Sequence, residues 1–359
     1  MRTKLIVLYG GKSVEHEVSL KTAYTVIQAI DETKFEIIPI YITREGLWGS
    51  LDWTSVPAGL RMDDLVAEPV HGSPAASIGD VLIQRLTAPG KKAVLPLLHG
   101  SNGEDGTVQG LLELLDVPYV GNGVLSSALT LDKAVSKQLL AGAGIRQTEF
   151  VSFRHEEWLE EHAALLDRLE RRLGYPCYVK PASLGSSIGI SRCESRRELQ
   201  AGIEEALRYD GKIVVEREIA GREIQVAVLG NEKPLVSLPG EFIHNRSFFD
   251  FDSKYLDKSL TMSIPAQIPD PVTEQIRRTA LHAYQALCCS GLARVDFFLD
   301  GDGALYLNEI NALPGFTNFS MYPVMWERTD GTSYSELIEK LIDYAFTRHA
   351  EKQTIQYAR

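Results

Sequence analysis

Leu292-Ala293-Arg294-Val295-Asp296-Phe297-Phe298-Leu299-Asp300-Gly301-Asp302-Gly303-Ala304-Leu305-Tyr306-Leu307-Asn308-Glu309-Ile310-Asn311 is the stretch on which the reading of this chain turns. Two strand-like runs, 293–299 and 304–310, flank Asp300-Gly301-Asp302-Gly303, a strong hairpin signal. With Gly301 and Asp302 at the centre of the turn, residue 300 pairs with 303, 296 with 307 and 294 with 309. Side chains alternate faces along a strand, so Arg294, Asp296, Glu309 and Asn311 share one face. Ala293, Val295, Phe297 and Ile310 take the other, which suits a core. A turn one residue longer would scramble this register.

Two carboxylates and an amide oxygen beside an arginine can be a surface ion pair with spare polar groups. They can also be a Mg²⁺ site, because Mg²⁺ prefers oxygen, takes one or two carboxylates and completes its shell with phosphates and water. The continuation Asn311-Ala312-Leu313-Pro314-Gly315 favours the metal, since it offers backbone N–H groups close by.

Working outward, the first third alternates strand and helix. A short apolar run over 4–9 ends at Gly10-Gly11, helical spacing covers 15–30, and strand-like runs follow at 35–41 and 93–98, the second ending at His99-Gly100. A helix is expected over 107–115. Strand, glycine turn and helix in alternation predict a parallel sheet whose loops at the strand ends carry ligands. A second unit starts near Gly123, with helices over 131–143 and 158–173 and strands at 176–180 and 189–192 around the loop 181–187. Strands then dominate at 212–218, 223–229 and 235–239. The polar, aromatic segment 240–260 reads as a long loop, a type often functional. Helices over 272–288 and 334–348 bracket the hairpin.

The chain has 359 residues, 44% hydrophobic and 24% charged, the balance of a soluble globular protein built from two or three packed subdomains. Its formal net charge of −11 argues against a nucleic-acid partner. No signal peptide is visible and no apolar run approaches the roughly 20 residues of a membrane span. Cys177, Cys193, Cys288 and Cys289 lack zinc spacing and read as reduced thiols of a cytoplasmic protein.

Lys133 follows Leu131-Asp132, and Lys180 stands just before Pro181 and the small loop Gly185-Ser186-Ser187-Ile188-Gly189. Glycine-bearing loops can lay backbone N–H groups against phosphates, although many hairpin turns look similar. No Walker A and no G-x-G-x-x-G pattern is present. The connection from Glu216 to Glu223 can be an ordinary polar loop, or can bracket an adenine and offer an acid to ribose hydroxyls.

Taken together, Gly10-Gly11-Lys12-Ser13-Val14-Glu15-His16-Glu17-Val18-Ser19, Leu98-His99-Gly100 with Gly103-Glu104-Asp105-Gly106, Leu131-Asp132-Lys133, Lys180-Pro181 with the 185–189 loop, Lys254-Tyr255, Ala293-Arg294-Val295-Asp296 and the run 308–317 resemble the D-alanine–D-alanine ligase family of the ATP-grasp superfamily. The motifs stand in the family's order from residue 6 to about residue 326.

The resemblance implies a mixed α/β ATP-grasp fold of three subdomains, 1–123 with a parallel sheet, 124–215 central and 216–359 carrying the metal site. It implies ATP-driven joining of two D-alanines through an acyl phosphate, for peptidoglycan synthesis. Relatives that make D-Ala–D-lactate or D-Ala–D-serine, and other ATP-grasp carboxylate–amine ligases, are the alternatives. Lys133, Lys180, Ser186 and Ser187 would hold ATP phosphates, Glu216 and Ile219 would border the adenine, and Glu223 would bind ribose. Asp296, Glu309 and Asn311 would ligate two Mg²⁺ ions, or Mn²⁺. Arg294 and the Gly315 N–H would stabilise the tetrahedral transition state. Glu15 would take the ammonium of the first D-alanine, with His99 nearby, while Lys254 and Ser320 would hold the carboxylate of the second. Ser186 and Tyr255 would join Glu15 in a lid. A homodimer is implied as well. No histidine base for the attacking amine is visible near the C-terminal motifs.

Overall fold

The computed structural model describes residues 2–87, 89–243 and 261–356. Lys254, Tyr255 and most of the expected loop over 240–260 lie outside them.

The first sheet contains β1 (Thr3–Gly10), β2 (Phe35–Ile42), β3 (Trp48–Ser50) and β4 (Lys92–Pro96) in the order β3-β2-β1-β4. β1 lies parallel to both β2 and β4, as strand–helix alternation predicts, and β3 adds an antiparallel edge. Helix α1 (His16–Ala29) and its apolar row Ala23, Val26 and Ile27 cover one face. The stretch before Gly90 holds a short helix, α2 (Pro74–Val81), and the loop after β4 leads into α3 (Thr107–Leu114). At Gly10, φ is +90° and an added Cβ would sit 2.2 Å from the Ile42 carbonyl, so only glycine lets β1 turn there.

The helix expected over 131–143 is present as α5 (Lys133–Gly142), and another helix, α4 (Val124–Leu131), precedes it and takes Leu131. Asp132 separates them: its carboxylate accepts from the Ala134 and Val135 N–H groups at 3.1 Å, the geometry of an N-cap, and places Lys133 at the first position of α5. The second sheet, wholly antiparallel, has the order β5-β8-β6-β7, with β5 (Phe150–Arg154), β6 (Cys177–Pro181), β7 (Ser191–Cys193) and β8 (Lys212–Arg217). Helices α6 (His155–Leu173) and α7 (Arg196–Ala206) bury Leu165, Leu169, Leu199 and Ile203 against it.

The third sheet runs β10-β9-β13-β14, with β9 (Gly221–Leu229), β10 (Leu235–Val236), β13 (Leu292–Asp300) and β14 (Leu305–Asn311). The start of the segment expected to be a loop is a strand, β11 (Glu241–Ile243), paired with β12 (Thr261–Ser263), which follows the segment. Helix α8 (Asp270–Ala286) packs Ile276, Ala280 and Ala283 on the third sheet together with Leu140 of α5. Helices α9 (Met321–Asp330) and α10 (Tyr334–Gln353) return to the start of the chain. Trp326, Leu337 and Leu341 share one core with Leu5, Val7 and Val26.

The hairpin register corrects the sequence expectation. The turn is longer: the Asp300 N–H donates to the Ala304 carbonyl at 3.1 Å, so residue 300 pairs with 304, and Gly303 adopts φ +80°. Asp300 Oδ1 accepts from both Asp302 and Ala304 N–H groups, which stabilises this three-residue loop. By itself the extra residue would have rotated β14 by one face. A bulge at Asn308 shifts the register back: Phe297 pairs with Leu307, but Asp296 with Glu309 and Arg294 with Asn311. Two one-residue shifts sum to an even number, and the four polar residues keep their common face.

Candidate active site

The polar face of the hairpin forms part of the wall of a cavity of about 920 Å³, which is also bordered by Glu15, His99, Lys133 and Ser186. At its floor Arg294 holds Asp296 through two parallel bonds, Nε to Oδ1 and Nη2 to Oδ2, each 2.7 Å. Asp296 is 1% exposed, and burial alone would pull the guanidinium down, but Asp296 and Glu309 keep it raised and charged. The Asn311 amide donates to Asp296 Oδ2 at 3.1 Å. Lys133 leans over this group from α5, 3.5 Å from Glu309, while donating to the Leu184 carbonyl at 2.7 Å.

Lys180, at the end of β6, does not stand alone. Its Nζ is 2.9 Å from Glu216 of β8, its antiparallel neighbour strand, and Lys137 approaches the other oxygen of Glu216 at 3.3 Å. All three side chains are at most 10% exposed. Burial opposes each charge. At Glu216 and Lys180 the opposite charges prevail, lowering the carboxyl and raising the ammonium; at Lys137 burial prevails and the ammonium is lowered. Ile219 lies in the turn between β8 and β9, and Glu223 on β9 opposite Phe298. These two and Glu216 are not among the lining residues of the cavity, whereas Ser187 is.

At the opposite end, Glu15 precedes α1 and is 5% exposed. Ser186 donates a short hydrogen bond to its Oε1, joining the glycine loop of the second sheet to the first sheet's ligand end. Ser186 and Ser187 both have positive φ, +52° and +59°, an unusual loop conformation for residues with a Cβ. Gly100 has φ +75°, and a Cβ there would lie 2.6 Å from both Glu15 Oε2 and Ser13 Oγ. His99 Nε2 is 3.2 Å from Thr22 Oγ1, and burial pulls the imidazole down to about 4, leaving it neutral. Ser320, which borders the cavity, stands at the N-cap position of α9, and its Oγ accepts from the Thr317 N–H at 3.0 Å rather than capping the helix. Gly315 lies beside it in the same wall. A helix N-terminus at that spot suits a carboxylate.

Sequence reasoning assigns no role to two residues of this region. Lys137 is one turn beyond Lys133 on α5, a spacing that puts both on one helix face, but only burial reveals the pairing with Glu216. Glu104 belongs to the Gly103–Gly106 motif; it lines the cavity and accepts from the Gly100 N–H at 2.6 Å.

Among the described residues no three His, Cys, Asp or Glu side chains form a metal-holding group. The donor set is two carboxylates and one amide, which suits an oxygen-loving cation that draws its remaining ligands from phosphate and water. No helix among the described residues is long and apolar enough to cross a membrane.

Residues 4–122 match the family model described as D-ala D-ala ligase N-terminus, and residues 139–343 that described as D-ala D-ala ligase C-terminus. The chain is 48% identical over 370 residues to a D-alanine--D-alanine ligase of Geobacillus thermodenitrificans, covering 99% of each. Among solved structures, the D-alanine-D-alanine ligase from Coxiella burnetii superposes with a TM-score of 0.79 at 34% identity, over 98% of this chain and 96% of that one. The VanG D-Ala:D-Ser ligase from Enterococcus faecalis does so with a TM-score of 0.78 at 35% identity, over 96% and 100%. A likeness that runs through both halves of the chain settles the matter: the chain belongs to the D-alanine–D-alanine ligase family and has the ATP-grasp fold.

Proposed function

We propose that this chain joins two D-alanines at the expense of ATP, making the dipeptide used in peptidoglycan synthesis, in the cytoplasm. The observation that carries the reading is the bond from Ser186 to Glu15, which closes the glycine loop onto the acid that would take a substrate ammonium. Glu15, Ser186, Lys133, Arg294, Glu309 and Asn311 border one cavity, which supports a shared site for substrate and phosphate.

In this reading Lys133 and Lys180 neutralise ATP phosphates, with the N–H groups of Ser186 and Ser187 beside them. Glu216 and Ile219 border the adenine and Glu223 takes the ribose. Asp296, Glu309 and Asn311 hold Mg²⁺, or Mn²⁺; when bound, the ions supply Lewis-acid neutralisation of the phosphate charge. Glu15 orients the first D-alanine so that its carboxylate faces the phosphate end. Attack on the γ-phosphate yields an acyl phosphate and ADP, and the amine of the second D-alanine then displaces phosphate. Arg294 and the Gly315 N–H face the oxyanion that develops on the acyl carbon. Ser320, at the N-terminus of α9, receives the carboxylate of the second D-alanine together with Lys254. The loop arrangement excludes water from an intermediate that hydrolyses readily. Tyr255 joins Glu15 and Ser186 in this lid, and its hydroxyl favours an amine over a hydroxy acid as second substrate. We read the chain as three subdomains, 1–123, 124–215 and 216–359, and as a homodimer.

ATP turnover measured with no amino acid, with D-alanine alone, and with D-alanine plus D-lactate or D-serine tests the reading. D-alanine alone should give ADP, phosphate and D-alanyl-D-alanine. Turnover without D-alanine, or an ester or D-Ala–D-Ser product formed as readily as the dipeptide, would overturn it.

A further inference from the structure

The glycine loop touches Glu15 at its tip through Ser186, but its two ends are held elsewhere, by one short turn. At the leading end the Ser183 N–H donates to Asp210 Oδ2 at 2.7 Å. Asp210 lies in the turn that joins α7 to β8, and its other oxygen accepts from the Lys212 N–H at 3.0 Å, so the carboxylate is fixed from both sides. The Lys212 carbonyl in turn accepts from the Ala182 N–H at 2.9 Å, and the Lys212 ammonium pairs with Asp132, the cap of α5. At the trailing end Gly189 has φ +70°, and a Cβ there would lie 2.9 Å from both the Tyr209 ring and Pro181 Cγ. Tyr209 thus leaves room only for glycine where the loop runs back toward β7. Neither Tyr209 nor Asp210 borders the cavity, so any effect they have on a ligand there passes through the loop.

We propose that the turn Tyr209-Asp210 is the seat of the glycine loop, and that Asp210 is a positioning residue for phosphoryl transfer: it sets where the loop's backbone N–H groups stand against the ATP phosphates and keeps Ser186 within reach of Glu15. The proposal rests on the ligase reading and deepens it. Ser186 and Ser187 sit at φ +52° and +59°, a conformation that is costly for residues with a Cβ, so contacts beyond the two must impose it. Because Tyr209 and Asp210 are adjacent, one turn fixes the separation of both loop ends. The charged acceptor makes the Ser183 bond about twice as strong as a neutral one. A loosened loop would hold the phosphates less well and would admit water to the acyl phosphate. Water then takes the place of the second amine, D-alanine and phosphate are released, and the net reaction is hydrolysis of ATP to ADP and phosphate.

The test measures ADP and D-alanyl-D-alanine in the same reaction, against ATP concentration, for the full-length wild type and for Asp210→Ala, Asp210→Asn and Tyr209→Ala. Wild type should form the two products in equal amounts. Asp210→Ala should raise the KM for ATP about tenfold, the size of one lost charge-assisted bond, with a smaller change in kcat, and should form ADP in clear excess over dipeptide. Asp210→Asn keeps an oxygen facing the Ser183 N–H and should restore most of the coupling. Tyr209 is 42% exposed, so Tyr209→Ala should fold even if Asp210→Ala does not, and it should shift both readouts in the same direction. A merely structural role would lower Tm and leave the product ratio alone. Equal products and a wild-type KM for ATP in the alanine variants that fold, or an Asp210→Asn no closer to wild type than Asp210→Ala, overturns the proposal while leaving the ligase reading intact. Wild type that forms no dipeptide from ATP and D-alanine overturns both.

Discussion

Replacing Lys137 by Met and Glu216 by Gln should have unequal effects, although the two residues are partners. At 3.3 Å the Lys137–Glu216 attraction is about 5 kcal/mol at an effective dielectric of 20. Burying each ion costs several kcal/mol in the opposite direction. The lowered ammonium of Lys137 says which wins: burial outweighs attraction, so the charge on Lys137 contributes little or nothing to stability. Its burial penalty is complete at low pH and lifts as pH rises from the folded value toward 10.5, where the unfolded chain still holds more protons than the native state. Methionine fills nearly the same space, and Glu216 still has Lys180 at 2.9 Å. Lys137→Met should therefore stay within about 1 kcal/mol of wild type, about 2 °C or less in Tm. Glu216→Gln leaves two buried ammonium groups facing a neutral amide and should cost about 3–5 kcal/mol. For ATP the order reverses in sign. Two lysines and one carboxylate leave a net +1 at this corner, which Lys137→Met reduces to 0, and Lys180 is then drawn wholly toward Glu216. The KM for ATP should rise and kcat at saturating ATP should change less. Thermal unfolding at pH 7 of the ligand-free variants, with initial rates against ATP, measures both. Equal destabilisation by the two substitutions, or an unchanged KM for ATP in Lys137→Met, would refute the reasoning.

Three further outcomes follow from the site. Glu309→Gln should keep the fold and lose most ligase turnover even at saturating Mg²⁺, because an amide neutralises far less charge on a divalent ion; near-normal turnover would remove Glu309 from the metal site. Gly100→Ala needs φ +75° and space 2.6 Å from the Glu15 carboxylate, so it should raise the KM for D-alanine at least tenfold in steady-state assays while ATP binding survives. The neutral imidazole of His99, held down to about 4, should make stability fall between pH 6.5 and 4 by up to about tenfold in the folded-to-unfolded ratio per pH unit, since only the unfolded chain takes that proton. Urea unfolding of His99→Gln across this range should lack that component of the slope.

Strand alternation is a local property, which is why the shared face of Arg294, Asp296, Glu309 and Asn311 is legible in the amino-acid order alone. The same locality makes the apolar run ending at Gly10-Gly11 and the strand leading to His99-Gly100 readable. The register is not local. The three-residue turn at Asp300 and the bulge at Asn308 each move β14 by one residue, and only the packing of β14 against β13 shows that the two shifts cancel. Leu131 and Asp132 read as the first residues of the helix over 131–143; the Asp132 carboxylate instead caps α5, and Leu131 ends α4. No pattern in residues 1–30 announces that Trp326, Leu337 and Leu341 from the end of the chain complete their core, since long-range packing leaves no periodic trace.

The sequence by itself determined the family, through the identity and order of its motifs, and the chemical types available at the site. Charge state and partnership were decided by the tertiary structure alone. Lys137 has no role in the sequence reading and gains one only when β8 brings Glu216 beside it, and Glu104 gains its contact with the Gly100 N–H only in the folded loop. The reason is physical: a side chain's tendency to ionise depends on the water it has lost and on the charges that the fold places next to it, and neither is encoded in its neighbours along the chain.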